Sequence, residues 1–208
     1  MTEIKICGIT RPYDAQLACE YGAKMIGMIF YDKSPRFISN SVAEKIVRIL
    51  PEDVLPVGVF VNPTIEEVNP VVEATGIKAL QIHADFVIEE LRKLNLPLIQ
   101  AYSISNKSDF DSLRRNGSDY FLLDNKELNS YGGTGRTFDW ELIPTDLRKD
   151  RMILAGGINV ENVADAISKI KPAFLDISSG VESSPGIKDR MKLEQLFSAV
   201  EKANDRLY

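Results

Sequence analysis

Short apolar runs recur along the chain, and nearly every one is followed by a segment with helical spacing. The runs fall at 3–9, 24–30, 55–61, 78–83, 96–104, 120–124, 152–158 and 174–179. The run at 24–30 is continuous, not alternating, as in a strand covered on both faces. Helical spacing predicts helices over about 12–21, 40–50, 64–75, 86–95, 109–116, 160–170 and 189–205, with a weaker segment ending near 149. The ends of these segments carry start and stop chemistry. Pro12 suits a first helical turn and Gly22 the position just past the last. Ser39 or Asn40 can cap the second helix, Asn159 the one at 160–170, while Gly76 and Gly117 close two others. One long irregular stretch remains, at 125–137.

Eight strands alternating with helices over 208 residues, about 26 per unit, is the pattern of a parallel (β/α)8 barrel, an α/β fold. A doubly wound open sheet is the rival, but it rarely needs eight units and usually shows a glycine-rich first turn. No linker or low-complexity tract interrupts the pattern, so residues 1–208 are expected to form a single barrel domain.

Composition narrows the partners. The formal net charge of −5 argues against a nucleic acid, and any anionic ligand must be held by local donors. Two cysteines, Cys7 and Cys19, make no disulfide framework and fit a reducing compartment. Lys5 and Cys7 interrupt the early apolar run, so no signal peptide is expected there, and no run reaches the roughly 20 apolar residues of a membrane span. A soluble cytoplasmic protein is the expectation.

Barrels of this kind carry their chemistry at the C-terminal strand ends and in the loops beyond. On the first strand Lys5 and Cys7 share a face, and an ammonium there can favour the thiolate. Gly8 leaves room for a close approach beyond the sulfur. The plain alternative is that Cys7 is a small buried hydrophobe. Asp124 ends an apolar strand, where desolvation raises a carboxyl's pKa and makes a general acid; a loop-ordering carboxylate is the alternative. Leu122 and Asp124 share a face, so the acid can look into the barrel mouth toward Cys7. Gly156 and Gly157 after the seventh strand, with Ser178, Ser179 and Gly180 after the eighth, stand where such barrels bind phosphate.

Arg36 is a fork suited to a carboxylate, or else a solvated loop residue. His83, the only histidine, shares a face with Gln81 and lines the site or sits in the core; Asp176 occupies another strand end. No second histidine or cysteine stands at a ligand spacing, so no metal is expected. Gly132-Gly133-Thr134-Gly135 lacks the Gly-Lys-Ser/Thr of a P-loop, and Phe138 replaces the last glycine of a dinucleotide fingerprint. A loop that orders over the site mouth is the better reading.

Several stretches then stand in a telling order: Lys5-Ile6-Cys7-Gly8-Ile9-Thr10, Ser34-Pro35-Arg36, Val57-Gly58-Val59-Phe60-Val61-Asn62, Gln81-Ile82-His83, Leu122-Leu123-Asp124, Gly132-Gly133-Thr134-Gly135 with Phe138-Asp139-Trp140, Leu154-Ala155-Gly156-Gly157-Ile158, and Asp176-Ile177-Ser178-Ser179-Gly180-Val181-Glu182. With them the chain resembles the phosphoribosylanthranilate isomerase family over essentially its whole length. The resemblance implies a cofactor-free Amadori rearrangement of N-(5-phosphoribosyl)anthranilate in tryptophan biosynthesis. It implies that Asp124 protonates the furanose oxygen and that Cys7, as thiolate, removes the proton from C2′. Arg36 would hold the anthranilate carboxylate, Gly157 and the Ser178, Ser179 and Gly180 loop the phosphate, with Lys5, Gln81, His83 and Asp176 lining the substrate site. Monomer and homodimer both remain open.

Two residues depart from the family pattern: Ala84 stands where a glycine usually follows the histidine, and Gln100 where a lysine is common. Three other readings stay in view. A histidine-pathway aminoaldose isomerase would carry a carboxylate in place of Cys7 and a doubled phosphate site in the opposite half. Indole-glycerol-phosphate synthase wants a catalytic lysine and glutamate and an N-terminal extension. A barrel that binds a phosphosugar without turning it over would not need both Cys7 and Asp124.

Overall fold

The computed structural model describes residues 1–84, 89–113, 117–125 and 137–207. Eight strands close into a barrel in chain order: β1 (Glu3–Ile6), β2 (Met25–Ile29), β3 (Leu55–Val61), β4 (Ala79–His83), β5 (Leu98–Ile104), β6 (Tyr120–Asn125), β7 (Met152–Leu154) and β8 (Phe174–Ile177). Every neighbouring pair is parallel, and β1 against β8 completes the ring with Lys5 beside Asp176. The (β/α)8 expectation holds.

Strand alternation sorts the side chains into two cores. Met25, Val57, Ala79, Ile99, Leu122, Ile153 and Phe174 pack together inside the barrel. The alternate residues, among them Ile4, Ile6, Ile26, Leu80, Leu123 and Leu175, face outward and pack with helix residues such as Leu17, Ile46, Val68, Ile167 and Leu196. Following the inward positions toward the C-terminal ends, the filling turns polar: Lys5 then Cys7 on β1 and just past it, Gln81 then His83 on β4, Asp124 on β6, Asp176 on β8. The apolar plug stabilises the barrel below, and its upper layer is left to chemistry.

The helical shell is uneven. On one side α1 (Pro12–Tyr21), α2 (Asn40–Ile49), α3 (Ile65–Thr75), α5 (Val163–Ile170) and α6 (Arg190–Asp205) are full helices. Pro12 opens α1, and Gly22 (φ 110°) and Gly76 (φ 74°) close α1 and α3 in the left-handed region, as their positions predict. Thr64 and Glu67 form a capping box on α3.

Elsewhere the expectations need correction. The helix predicted over 86–95 is, in its described part, a 3₁₀ segment Glu89–Leu94. The one predicted over 109–116 begins as the 3₁₀ turn Lys107–Asp109 and continues as α4 (Phe110–Leu113), the rest lying outside the described residues. Before β7 the described residues form two 3₁₀ turns, Trp140–Leu142 and Lys149–Arg151, because Pro144 removes a donor just where the ladder would continue.

α5 starts at Val163 with Asn162 at the cap position; Asn159 instead accepts from Glu161 N (2.8 Å) in the turn before it. Ser39 occupies the N-cap position of α2 but makes no side-chain cap bond. β7 and β8 are shorter than their apolar runs, since Gly156 and Gly157 both take positive φ (79° and 69°) and Ser178 leaves the extended region. Unforeseen is a hairpin after β8, β9 (Glu182–Ser184) with β10 (Ile187–Lys188). The proposed lid over 125–137, with its Gly132-Gly133-Thr134-Gly135 run, lies outside the described residues except at its ends.

Candidate active site

At the C-terminal mouth a single cavity is lined by Cys7, Arg36, Gln81, His83, Asp124 and Asp176, together with Gly156, Gly157, Ser178 and Ser179. Of the residues expected to act on or bind the substrate, Lys5 and Gly180 stand outside its lining. Lys5 is fully enclosed in the floor, where its ammonium donates to Asp176 Oδ1 at 2.8 Å. Gly180 sits behind the wall: a side chain there would run into the carbonyl of Ile158 and lie 3.1 Å from Asn159, so its bareness lets the loops after β7 and β8 meet.

Cys7 follows β1 and is buried, its amide donating to Ile177 O (2.9 Å). Burial pushes the thiol above its ordinary range; Lys5 pulls it down, Asp176 pushes it up, and Lys188 pulls it down again. Lys5 favours the thiolate, the direction its shared face predicts, but burial outweighs it and the thiol stays above its ordinary range. Lys5 is itself held above the usual lysine range, because Asp176 and Cys7 together outweigh the cost of burying it.

The space shared by sulfur and ammonium comes from β2. A Cβ on Gly27 would sit 2.8 Å from Cys7 Sγ and 2.9 Å from Lys5 Nζ. Gly8, at φ 72°, admits a close approach as expected, and its neighbours are Arg36 Cδ and Ser178 Oγ.

Asp124 is the last residue but one of β6, three strands from β1 around the ring, and its Oδ1 accepts the Asn125 amide at 2.8 Å. A side chain on Gly156 would come within 2.8 Å of that same oxygen, which makes Gly156 the bare wall beside the carboxyl. Gly157 belongs to the turn leading into α5, its carbonyl accepting from Asn159 and Asn162 side chains (3.3 and 2.9 Å). On β4, Gln81 Nε2 donates to His83 Nε2 at 2.9 Å, a bond that requires a neutral imidazole. Burial and the Lys5 charge agree with this, holding His83 at about 4. The buried Gln81 Oε1 has no hydrogen-bond partner among the described residues, and Gln81 is one of the residues lining the cavity. Ala84 and Gln100, the two departures from the family pattern, meet each other: Gln100 Nε2 donates to Ala84 O at 3.0 Å.

Arg36 is almost wholly buried, and its Nε and Nη2 already grip Glu182 (2.9 and 2.7 Å). Sequence reasoning gave Glu182 and Lys188 no role. The signal was present: Ser184-Pro185-Gly186 is a turn tripeptide between short segments, and Gly186 does take φ 80°. Among the described residues no group of three histidine, cysteine or acidic side chains is placed to hold a metal ion, and no helix is long and apolar enough to cross a membrane.

Residues 4–199 match the family model of N-(5'-phosphoribosyl)anthranilate (PRA) isomerase. This chain belongs to the N-(5'-phosphoribosyl)anthranilate isomerase family. A relative of that name from Syntrophus aciditrophicus is 44% identical over 96% of this chain and 87% of its own. Among solved structures, phosphoribosyl anthranilate isomerase from Thermotoga maritima superposes with a TM-score of 0.88 at 39% identity, covering 97% of this chain and 100% of that one. A phosphoribosyl anthranilate isomerase in complex with reduced 1-(o-carboxyphenylamino)-1-deoxyribulose 5-phosphate superposes at 0.84, with 36% identity over 97% and 100% of the two chains. Family membership thus agrees with a barrel whose mouth gathers one thiol, one strand-end carboxyl and a bare-backbone wall between β7 and β8.

Proposed function

We propose that this chain catalyses the Amadori rearrangement of N-(5-phosphoribosyl)anthranilate to 1-(2-carboxyphenylamino)-1-deoxy-D-ribulose 5-phosphate, a step of tryptophan biosynthesis. The observation that carries the reading is that Cys7 and Asp124 line one cavity, floored by Lys5 and Asp176.

Asp124 gives a proton to the ring oxygen; the bond from that oxygen to C1′ breaks and the nitrogen lone pair forms the iminium. Cys7 then takes the proton from C2′, and the electron pair of that bond becomes the C1′–C2′ double bond as the nitrogen regains its lone pair. The enolamine loses its hydroxyl proton and gains one at C1′, giving the ketose with no net change of atoms. The reacting sulfur is the minority thiolate, which Lys5 and Lys188 sustain against burial. Backbone amides at Gly157, Ser178 and Ser179 suit the phosphate, Arg36 the anthranilate carboxylate, and the unused Gln81 Oε1 a sugar hydroxyl.

The chain works as one barrel domain, as a monomer or homodimer, in the cytoplasm and without a nucleic-acid or membrane partner. The test is direct. Purified protein mixed with N-(5-phosphoribosyl)anthranilate should quench the substrate's anthranilate fluorescence in a first-order decay proportional to enzyme; binding without decay would leave only a phosphosugar-binding barrel.

A further inference from the structure

Lys188 lies on the hairpin with its side chain wholly enclosed. Its ammonium donates to three acceptors: Cys7 O at 2.6 Å, Ser178 O at 3.1 Å and Glu182 Oε1 at 2.9 Å. Three acceptors use all three protons, so the charged form is fixed although burial pulls the lysine below its usual range. Glu182, equally hidden, receives Lys188, the amide of Gly186 (3.2 Å) and the Nε–Nη2 edge of Arg36. Burial raises this carboxyl, but Arg36 and Lys188 outweigh it and hold it ionised.

The hairpin is in turn fastened to the loop after β1 and to α1: Thr10 Oγ1 donates to Gly186 O (2.6 Å), and the Lys188 amide to Asp14 on α1 (3.1 Å). One buried chain of charges therefore touches the residue proposed as base, the phosphate loop and the carboxylate fork. Apolar side chains would fill this space at lower desolvation cost, so the fold alone does not call for charges here.

We propose that Lys188 and Glu182 are positioning residues of the isomerisation: Lys188 ties the backbone behind Cys7 to that behind Ser178, and Glu182 locks one edge of Arg36. The consequence for recognition is specific. With Nε and one proton of Nη2 committed, Arg36 meets a substrate carboxylate through its Nη1–Nη2 end, the edge that remains for a two-point grip. The inference rests on the reading of Cys7 as base and Arg36 as carboxylate fork.

The experiment compares Glu182→Gln, Lys188→Met and Cys7→Ser with the parent enzyme. It measures kcat and KM for N-(5-phosphoribosyl)anthranilate, and inhibition by the reduced carboxyphenylamino-deoxyribulose phosphate and by its aniline counterpart lacking the carboxylate. Glu182→Gln should weaken the carboxylate-bearing inhibitor about tenfold more than the aniline one. Equal loss for both, or no loss, overturns the role of Glu182 whatever happens to stability. Lys188→Met should lower kcat about tenfold or more while inhibitor affinity changes only about threefold; an unchanged kcat overturns its role. If that variant does not fold, the selective loss in Glu182→Gln decides the proposal. Cys7→Ser separates the two levels: full turnover there sinks the reading of Cys7 as base, whereas an inactive Cys7→Ser beside a fully active Lys188→Met sinks only the positioning role.

Discussion

Cys7 has its reactivity set by opposing neighbours. Burial and Asp176 favour the thiol, Lys5 and Lys188 the thiolate, and the thiol prevails. Turnover should therefore rise with pH through neutrality as the thiolate fraction grows, by up to about tenfold per unit. Thiolate absorbance at 240 nm, followed on a Cys19→Ser background so that only Cys7 reports, should put its midpoint above the ordinary thiol value. A midpoint below 7 would mean that the two lysines dominate, contrary to this account. The identity of the cysteine was legible in the sequence, since its strand and neighbouring lysine were. Its protonation state was not, because that depends on Asp176 and Lys188, which only the closed ring brings to it.

At the scale of the elements, strand alternation did most of the work. The inward positions of β1, β4, β6 and β8 placed Cys7, Gln81, His83, Asp124 and Asp176 at one mouth before any coordinates were needed. Two features escaped that logic. The hairpin β9–β10 is too short to show a periodicity, and its buried Glu182 and Lys188 look like surface charges in sequence. Gly27 reads as an ordinary strand residue until its neighbours on the adjoining β1 are known. Gly27→Ala places a methyl 2.8 Å from Sγ and 2.9 Å from Nζ. It should cost about 1–3 kcal/mol of stability by overpacking. It should also lower kcat about tenfold or more while KM moves little, since the base is displaced and the carboxylate and phosphate contacts are not. A wild-type kcat in that variant would show that the Cys7–Lys5 spacing is immaterial. The shell helices were foreseen where caps and glycines marked them and overestimated between β4 and β7, where the described residues form 3₁₀ turns and the four-residue α4 in place of full helices.

The whole molecule is held shut at the far end from its chemistry. Asn204 on α6 accepts the Thr2 amide (3.1 Å) and donates to the Thr2 carbonyl (3.0 Å), clamping the last helix onto the start of β1. Asn204→Ala leaves two buried backbone groups unpaired and should cost about 1–3 kcal/mol, seen as a lower Tm, with kcat changed less than about twofold. A large fall in kcat at unchanged Tm would contradict this division between a stabilising bottom and a reactive top.

Acid should loosen the fold as a unit. His83 is neutral when folded, at about 4 against 6.5 when unfolded, so the unfolded chain binds more protons between those values. Stability is therefore full above about pH 6.5 and falls as pH drops toward 4, by roughly 1–3 kcal/mol from this residue. Glu182, held ionised, adds loss in the same direction. Urea titrations at pH 7.5 and 5 should show the decline, smaller in His83→Asn; equal slopes would remove His83 as the cause.

The account stands on a carboxyl that gives one proton to the sugar and a thiolate that takes another from it. Its most direct test is the single-turnover rate of Cys7→Ser and Asp124→Asn, measured beside their affinity for the reduced product analogue. Both rates should fall by about a thousandfold or more while the analogue binds within about threefold of the parent. Near-parental turnover in either variant would contradict it.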